Sequence, residues 1–345
     1  MRILFDHHLP FLMAHGGLQI QMEKTKSALE SLDIEVEFLR FWDEDQNGDI
    51  IHFFGRPTAA YVSLAQGKGI RVVQSDLLGG LGARPAWVRL LQSAFIRSLG
   101  AALPRWITMR LAWDSFQRSD VCVALTEWER RLIIKTFGSP ADRTVCVPNG
   151  VDSEFLTEEP TERGEWLVCV ASIVQQKRIL ELCRAAASAR TPLWIIGRPF
   201  SAADPYARRF LDFARQNDDI IRYQGAIDDR SQLAGILRSA RGFVLASDFE
   251  SLSLAALEAA ACGAPLLLRD LPWARGAFGD SASYCSRNLT IAGLEDSLLR
   301  FHRQAASAPR PPRPLSWRQV AEKLVAVYRS ALDRPGQPPP PSNTS

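Results

Sequence analysis

The sequence lacks the features by which membrane-spanning and exported proteins are recognised. Its 345 residues include no run that approaches the roughly 18 consecutive apolar residues needed for a spanning helix. The opening segment Met1–Phe5 meets Asp6, His7 and His8 before a signal-peptide apolar region can develop. We therefore expect a protein of the cytoplasm.

Cysteine clusters and a strong charge imbalance are also missing. The 6 cysteines are scattered without a close pair, which argues against a disulfide framework and against a zinc site. A formal net charge of +3 is too small to indicate a nucleic-acid partner, and no zinc-finger or RNP-like motif occurs. No G-x-G-x-x-G follows the first strand of either half, so a nicotinamide dehydrogenase is poorly supported.

What the sequence does contain is an alternation of apolar, β-rich runs with helical patterns. This alternation is typical of βαβ units and parallel sheets, and the chain length suits two domains with a cleft between them. The predicted strands are 3–5, 36–39, 49–54, 70–73, 121–125 and 144–147 in a first series, and 166–171, 193–196, 220–223, 242–245 and 265–268 in a second. We therefore predict an α/β protein with two parallel sheets.

Breaks in this pattern divide the chain. Pro-Asn-Gly at 148–150 ends the first series, and a charged stretch over 157–165 precedes the second. A proline-rich stretch over 309–314 comes before an amphipathic helix, and the end of the chain lacks apolar residues. The predicted parts are an N-terminal domain over 1–155, a C-terminal domain over 156–314, a helix over 315–333 that packs back on the N-terminal domain, and a disordered tail over 334–345.

The stretch 248–263 combines a loop with a helix start. Because 242–245 is a predicted strand, Ser251 or Ser253 can cap the helix that follows. The side chains around Glu258 on this helix are nearly all Ala, Leu or Cys. An unpaired carboxylate in such surroundings costs on the order of several kcal/mol, so Glu258 must have a partner.

Two partners are possible on the residues alone. In the first, a diphosphate binds the helix N-terminus, and Glu258, about 6 Å further along the axis, accepts hydrogen bonds from both ribose hydroxyls. In the second, Glu258 pairs with a core arginine, and Ser251 and Ser253 merely cap the helix.

Further motifs extend this pattern over most of the chain. Glu250 and Glu258 form an E-x7-E pair, followed by Ala-Cys-Gly-Ala-Pro at 261–265. The other motifs are Gly16 and Gly17 in an N-terminal loop, Asp-Ile-Ile-His at 49–52, Val-Pro-Asn-Gly-Val-Asp at 147–152, Val-Ala-Ser-Ile-Val-Gln-Gln-Lys at 170–177 and Tyr-Gln-Gly-Ala-Ile at 223–227. In order and spacing the set resembles glycosyltransferase family 4, whose GT-B fold has two Rossmann-like, doubly wound domains facing a central cleft.

The resemblance implies a role for each matching residue. Lys177 would bind the donor diphosphate, where a charge-assisted contact contributes roughly 1.5–3 kcal/mol, and Glu250 would contact the transferred sugar. These two are the candidate catalytic residues, while Glu258 would hold the ribose. The other donor-binding candidates are Gly16, Gly17, Ser172, Gly225, Ile227, Ser251, Leu252, Ser253 and Leu254. Each has a plainer alternative as a turn, a helix cap or a solvated charge.

The chain departs from the family pattern at three places. Ser172 stands where the family has a phosphate-binding arginine, and Arg178 is a candidate to compensate. Ser251 and Ser253 replace glycines, which narrows the room beside the sugar. Where many members carry an active-site histidine, this chain reads Val-Gln-Ser-Asp at 73–76. The remaining histidines of the N-terminal domain are His7, His8, His15 and His52.

The resemblance also implies a reaction. A sugar would pass from a nucleotide-sugar donor to a glycan or lipid-linked acceptor with retention of anomeric configuration, in envelope or exopolysaccharide biosynthesis. No cofactor and no metal are expected, since no Asp-x-Asp triplet lies near a plausible sugar site and 43–45 reads as a solvated loop. Two alternatives are a sugar-nucleotide epimerase of the same fold and a catalytically inactive subunit that binds a glycan or nucleotide.

One stretch of the N-terminal domain suggests a membrane surface. Residues 77–113 contain no acid, and arginines are interleaved with aromatic residues over 84–113. Trp87, Leu90, Leu91, Ala94, Phe95 and Leu99 have helical spacing, as an interfacial helix requires. We expect this stretch to bring the enzyme to an anionic membrane, peripheral at its inner face; the alternative is a core-packing helix with solvated arginines.

Overall fold

The computed structural model describes residues 1–9, 11, 16–82, 84–102, 107, 112–158, 161–201 and 203–334. The chain divides into two compact units. Unit 1 comprises Met1–Asn149 and the C-terminal helix that begins at Trp317, and unit 2 comprises Gly150–Ser316.

Unit 1 is built on a parallel sheet whose 6 described strands run in the order β2-β1-β3-β4-β5-β6. The strands are β1 (Arg2–His7), β2 (Glu35–Phe38), β3 (Ile50–Phe54), β4 (Arg71–Ser75), β5 (Val121–Ala124) and β6 (Thr144–Cys146). The described helices are α1 (Gly17–Glu30), α2 (Ala59–Gly67), α3 (Gly79–Gly82), α4 (Ala86–Ala102), α5 (Ser115–Arg118), α6 (Glu127–Phe137) and, from the end of the chain, α14 (Trp317–Asp333).

The central strands of unit 1 are buried along their length. Every residue of β3 and β5 is buried, as parallel strands in a doubly wound sheet require. His52 is the polar exception on β3, and its two ring nitrogens each lie 2.7 Å from a hydroxyl, one of Tyr328 and one of Ser75. Because Tyr328 belongs to α14, this bond joins the C-terminal helix to the sheet of unit 1.

Unit 2 repeats this architecture with 6 described parallel strands in the order β12-β11-β10-β7-β8-β9. The strands are β7 (Leu167–Val170), β8 (Leu193–Ile196), β9 (Ile221–Tyr223), β10 (Gly242–Leu245), β11 (Leu266–Arg269) and β12 (Ser283–Cys285). The described helices are α7 (Ser153–Leu156), α8 (Ile179–Ser188), α9 (Pro205–Gln216), α10 (Arg230–Ser239), α11 (Leu254–Ala261), α12 (Pro272–Phe278) and α13 (Ile291–Gln304). The prediction missed β12, because a Ser-Tyr-Cys edge strand carries no apolar run.

The division between the units falls earlier than the predicted boundary after residue 155. Phe155 is buried in unit 2, and Val151 N–H donates to the Leu315 carbonyl over 2.9 Å. Asp152 binds Arg230 at the start of α10 over 3.1 Å. These contacts hold the segment 150–156 in the second unit. Of the predicted disordered tail over 334–345, only Arg334 is described, and it is hydrogen-bonded to Asp142. Residues 335–345 lie outside the described residues.

Candidate functional site

The sheet of unit 2 has a topological switch point between β7 and β10. From β7 the chain moves outward through β8 and β9 on one side, and then returns to build β10, β11 and β12 on the other. In such open α/β sheets, ligands bind beyond the carboxyl ends of the strands at the switch point. The loops that leave β7 and β10, at 171–178 and 246–253, therefore mark the candidate site.

The structure brings Lys177 and Glu250, the two candidate catalytic residues, into direct contact across this point. The ammonium of Lys177 donates to the carboxylate of Glu250, and both side chains are mostly buried. The two loops are also joined through backbone groups, because Asp248 N–H donates to the Gln176 carbonyl over 2.8 Å. The side-chain amide of Gln176 donates to the Phe249 carbonyl over 3.1 Å. The sequence predicted site residues in both loops, but it did not predict that the two loops bind each other.

Arg178, the candidate to compensate for the arginine that Ser172 replaces, is paired with two carboxylates. Its guanidinium lies 3.3 Å from the Asp248 carboxylate and 3.2 Å from Glu181. Arg269 contacts the same oxygen of Asp248 over 2.5 Å. Ser172 lies in the loop that follows β7. Compensation by Arg178 stays a prediction.

Helix α11 begins at the site, as the sequence predicted. Ser253 is its N-cap, and its hydroxyl accepts from Ala256 N–H over 3.3 Å. Leu252 is buried and the side chains of Ser251 and Leu254 are partly exposed. Ser253 thus caps the helix, as the second of the two alternatives for this stretch predicted.

Glu258, one turn into α11, is paired with an arginine. Arg230 donates to the Glu258 carboxylate and, through Nε, to Asp152 over 3.1 Å. Burial by itself would lower the pKa of Arg230, but the carboxylates of Glu258 and Asp152 outweigh burial and raise it. Of the two possible partners of Glu258, the structure shows the arginine, and the ribose contact stays a prediction. Arg230 was missed because it lies far from Glu258 in sequence.

The ends of β8 and β9 supply two glycines with unusual backbone angles. Gly197 has φ 152°, and a Cβ there would lie 1.9 Å from the Ala171 carbonyl oxygen, so no other residue fits. Gly225, a predicted donor-binding residue, has φ 87° and lies in open space. Its carbonyl accepts from Gly197 N–H over 3.0 Å, and Ile227 follows on the same loop. The sequence signal for Gly197 was a glycine directly after an apolar strand.

Tyr223, the last residue of β9, lies beside these two glycines. Burial raises the pKa of its phenol, which donates to the Gly197 carbonyl over 3.1 Å. This bond joins β9 to the loop after β8, and Ile173 N–H, which donates to the Arg198 carbonyl over 3.1 Å, joins the loop after β8 to the loop after β7.

In unit 1 the switch point lies between β1 and β3. His8, after β1, contacts the Arg56 carbonyl over 2.8 Å, and the Arg56 guanidinium binds Asp76 over 2.7 Å. Arg56 was missed by sequence reasoning. His7 donates to the Phe54 carbonyl, and His15 lies outside the described residues.

The remaining predictions for unit 1 concern His52 and two glycines. Burial lowers the pKa of His52 to about 3, which keeps its ring neutral inside the core. Gly16 and Gly17 precede and begin α1, Gly16 has φ 142°, and no atom lies within 4 Å of a Cβ built on either. They therefore border open space.

Two features are absent from the described residues. No group of three or more His, Cys, Asp or Glu side chains in that part of the chain is placed to hold a metal ion. Nor does any helix described here combine the length and hydropathy needed to cross a bilayer.

Comparison with known proteins matches both units. A model described as Glycosyltransferase Family 4 matches residues 29–155, and one described as Glycosyl transferases group 1 matches residues 164–293. A D-inositol 3-phosphate glycosyltransferase of Kineococcus radiotolerans is 26% identical over 63% of this chain and 58% of its own length. An MMP alpha-(1->4)-mannosyltransferase of Mycolicibacterium hassiacum is 27% identical over 59% of this chain and 52% of its own. The chain thus spans a little over half the length of these relatives.

Solved structures have a similar fold at low sequence identity. Sucrose-phosphate synthase from Thermosynechococcus elongatus has a TM-score of 0.69 at 16% identity, over 95% of this chain and 98% of that one. Anabaena HepE in complex with UDP and glucose has a TM-score of 0.63 at 12% identity, over 95% of this chain and 97% of that one.

Proposed function

Since the chain belongs to glycosyltransferase family 4 and has the GT-B fold, we propose that it moves a sugar from a nucleotide-sugar donor to a glycan or lipid-linked acceptor with retention of anomeric configuration. The contact between Lys177 and Glu250 at the switch point of unit 2 carries the proposal. In it, Lys177 supplies the cation for the donor diphosphate, and Glu250 supplies the carboxylate that contacts the sugar. We assign the reaction to envelope or exopolysaccharide biosynthesis, with the enzyme in the cytoplasm, peripheral at the inner face of the membrane.

Donor binding in this proposal rearranges the two ion pairs. Lys177 turns from Glu250 to the incoming diphosphate, which carries more charge than one carboxylate. Glu258 exchanges Arg230 for the ribose hydroxyls, and the amides that precede α11 receive the phosphate oxygens. Uridine donors are the first to test, because HepE was solved with UDP and glucose.

The chemistry in this proposal needs no protein nucleophile. The anomeric bond to the diphosphate breaks, an oxocarbenium-like transition state forms, and the acceptor oxygen attacks from the same face. The departing phosphate oxygen takes the acceptor proton. Lys177 and the helix amides stabilise the charge that develops on that oxygen, so the protein contributes orientation and electrostatics.

An inactive binding subunit is the second candidate function. Ser172 in place of the phosphate-binding arginine favours it, because Arg178, the candidate to replace that cation, is already paired with Asp248 and Glu181. Binding of nucleotide without turnover would identify this function, and conversion of the sugar without any acceptor would identify an epimerase.

Thermal shift with UDP-, GDP- and ADP-sugars tests the donor site. A ligand at a hundred times its dissociation constant stabilises by roughly 2.7 kcal/mol. We expect one nucleotide class to raise the melting temperature of the wild type but not of Lys177→Ala. Lys68→Ala, on the exposed end of α2, is the control and should respond like the wild type. No response to any nucleotide in the wild type would overturn the proposal.

A further inference from the structure

Helix α4 presents a continuous apolar face to solvent. The exposed fractions of its large side chains are 65% for Trp87, 70% for Leu90, 62% for Leu91 and 59% for Phe95. At 100° per residue these positions, with the exposed Ala94 between them, lie on one side of the helix. Contiguous apolar surface of this kind marks an interaction site.

The opposite face of α4 already anchors the helix to unit 1. Ile96 is buried in a cluster with Phe116, Ile133 and Phe137. The Ser93 hydroxyl donates to the Lys135 carbonyl of α6 over 3.1 Å. These contacts hold the inner face of α4 against unit 1, so the side chains of the outer face are available to bind a partner.

Arg89 belongs to the anchored side. Its guanidinium lies 5.9 Å from the centre of the Trp128 ring and donates to the Arg84 carbonyl. Of the arginines on α4, Arg97 is the exposed one, and it lies at the border of the apolar face.

Basic side chains border the apolar face of α4. Arg97 contacts the Lys135 carbonyl over 3.4 Å, which sets the exposed Lys135 beside it, and Arg131 is exposed one turn earlier on α6. No acid occurs between residues 77 and 113. The exposed acid on the neighbouring helix, Glu127, is 3.6 Å from Arg130. The border is therefore cationic.

We propose that the outer face of α4 docks on an anionic phospholipid bilayer. Trp87, Leu90, Leu91 and Phe95 enter the boundary between headgroups and acyl chains, while Arg97 and Lys135 contact lipid phosphates. A second copy of the chain fits less well, because its cationic border would face this one. The inference rests on the proposed function for the presence of a membrane-bound acceptor, but the binding itself is independent of donor chemistry.

Co-sedimentation of the full chain tests the proposal. The vesicles are phosphatidylcholine alone and phosphatidylcholine mixed with phosphatidylglycerol. We expect the wild type to partition about tenfold more onto the anionic vesicles, and less at high salt. Leu90→Glu should abolish this binding, and Arg97→Glu should weaken it several-fold.

Matched variants separate docking from general damage. Leu64 on α2 is also 70% exposed, so Leu64→Glu controls for an added surface charge at an exposed leucine. Arg208→Glu, on the exposed side of α9, controls for charge reversal. Both should bind vesicles like the wild type.

Three results would overturn the proposal: no binding of the wild type to anionic vesicles, equal loss in Leu90→Glu and Leu64→Glu, or a dimer in solution that Leu90→Glu dissociates without any vesicle binding. The nucleotide-induced thermal shift, measured on the same samples, distinguishes failure of docking from failure of the donor site.

Discussion

Arg230 binds the carboxylate of Glu258 and thereby occupies the acid that the E-x7-E pattern assigns to a ribose. The same guanidinium holds Asp152, close to the start of unit 2. In the proposed donor complex Glu258 exchanges this arginine for ribose hydroxyls, so the energy of the ion pair opposes donor binding.

Replacing Arg230 therefore has opposite effects on stability and on donor binding. Arg230→Met is expected to lower the free energy of unfolding by about 1–3 kcal/mol, because it removes a partner from a buried carboxylate. It should enlarge the thermal shift produced by the nucleotide, since Glu258 no longer has to give up an arginine. Arg208→Met is the control for an exposed arginine. A smaller nucleotide shift in Arg230→Met would show that Arg230 assists the donor.

The Lys177–Glu250 pair should be required for turnover. Lys177→Met is expected to lower kcat/KM by roughly ten- to a hundredfold, corresponding to a charge-assisted contact of about 1.5–3 kcal/mol. Steady-state kinetics with the donor found by thermal shift measures this. Lys68→Met should match the wild type, and equal activities of both lysine variants would remove Lys177 from the mechanism.

The crowding at Gly197 predicts a large effect of a single methyl group. Gly197→Ala would place Cβ 1.9 Å from the Ala171 oxygen, so the ends of β7 and β8 must separate. Gly225→Ala meets no neighbouring atom, and only its φ of 87° opposes the change, at about 1–2 kcal/mol. Chemical denaturation should rank Gly197→Ala as clearly less stable than Gly225→Ala, and the reverse order would contradict the geometry.

His52 should make unit 1 sensitive to acid. Its pKa is about 3 in the folded state and near 6.5 in an unfolded chain. Between these values the unfolded state binds more protons, so stability rises with pH and is lost as the pH falls from about 6.5 toward 3. His52→Asn should show a weaker dependence in that window by denaturation at several pH values. An unchanged slope would mean that other groups dominate.

Much of the fold followed from local pattern. The strands of both series were recognised because buried parallel strands are runs of apolar residues, as at 50–54 and 242–245. β12 was not, because Ser283–Cys285 is only a short strand, without a run of aliphatic residues, and it pairs with β11 at the edge of the sheet. The boundary between the two domains was predicted after residue 155 rather than after Asn149. The reason is that Phe155 and Asp152 make their contacts with partners distant in sequence.

The sequence by itself determined the two parallel sheets, the capped start of α11 and the motif that names Lys177, Glu250 and Glu258, because these depend on periodicity and on neighbours a few residues away. Only the tertiary structure decided the pairings: Lys177 with Glu250, and Arg230 with Glu258. It also decided which side of α4 is exposed. Electrostatic pairing and burial depend on distances in space, which the order of residues along the chain does not contain.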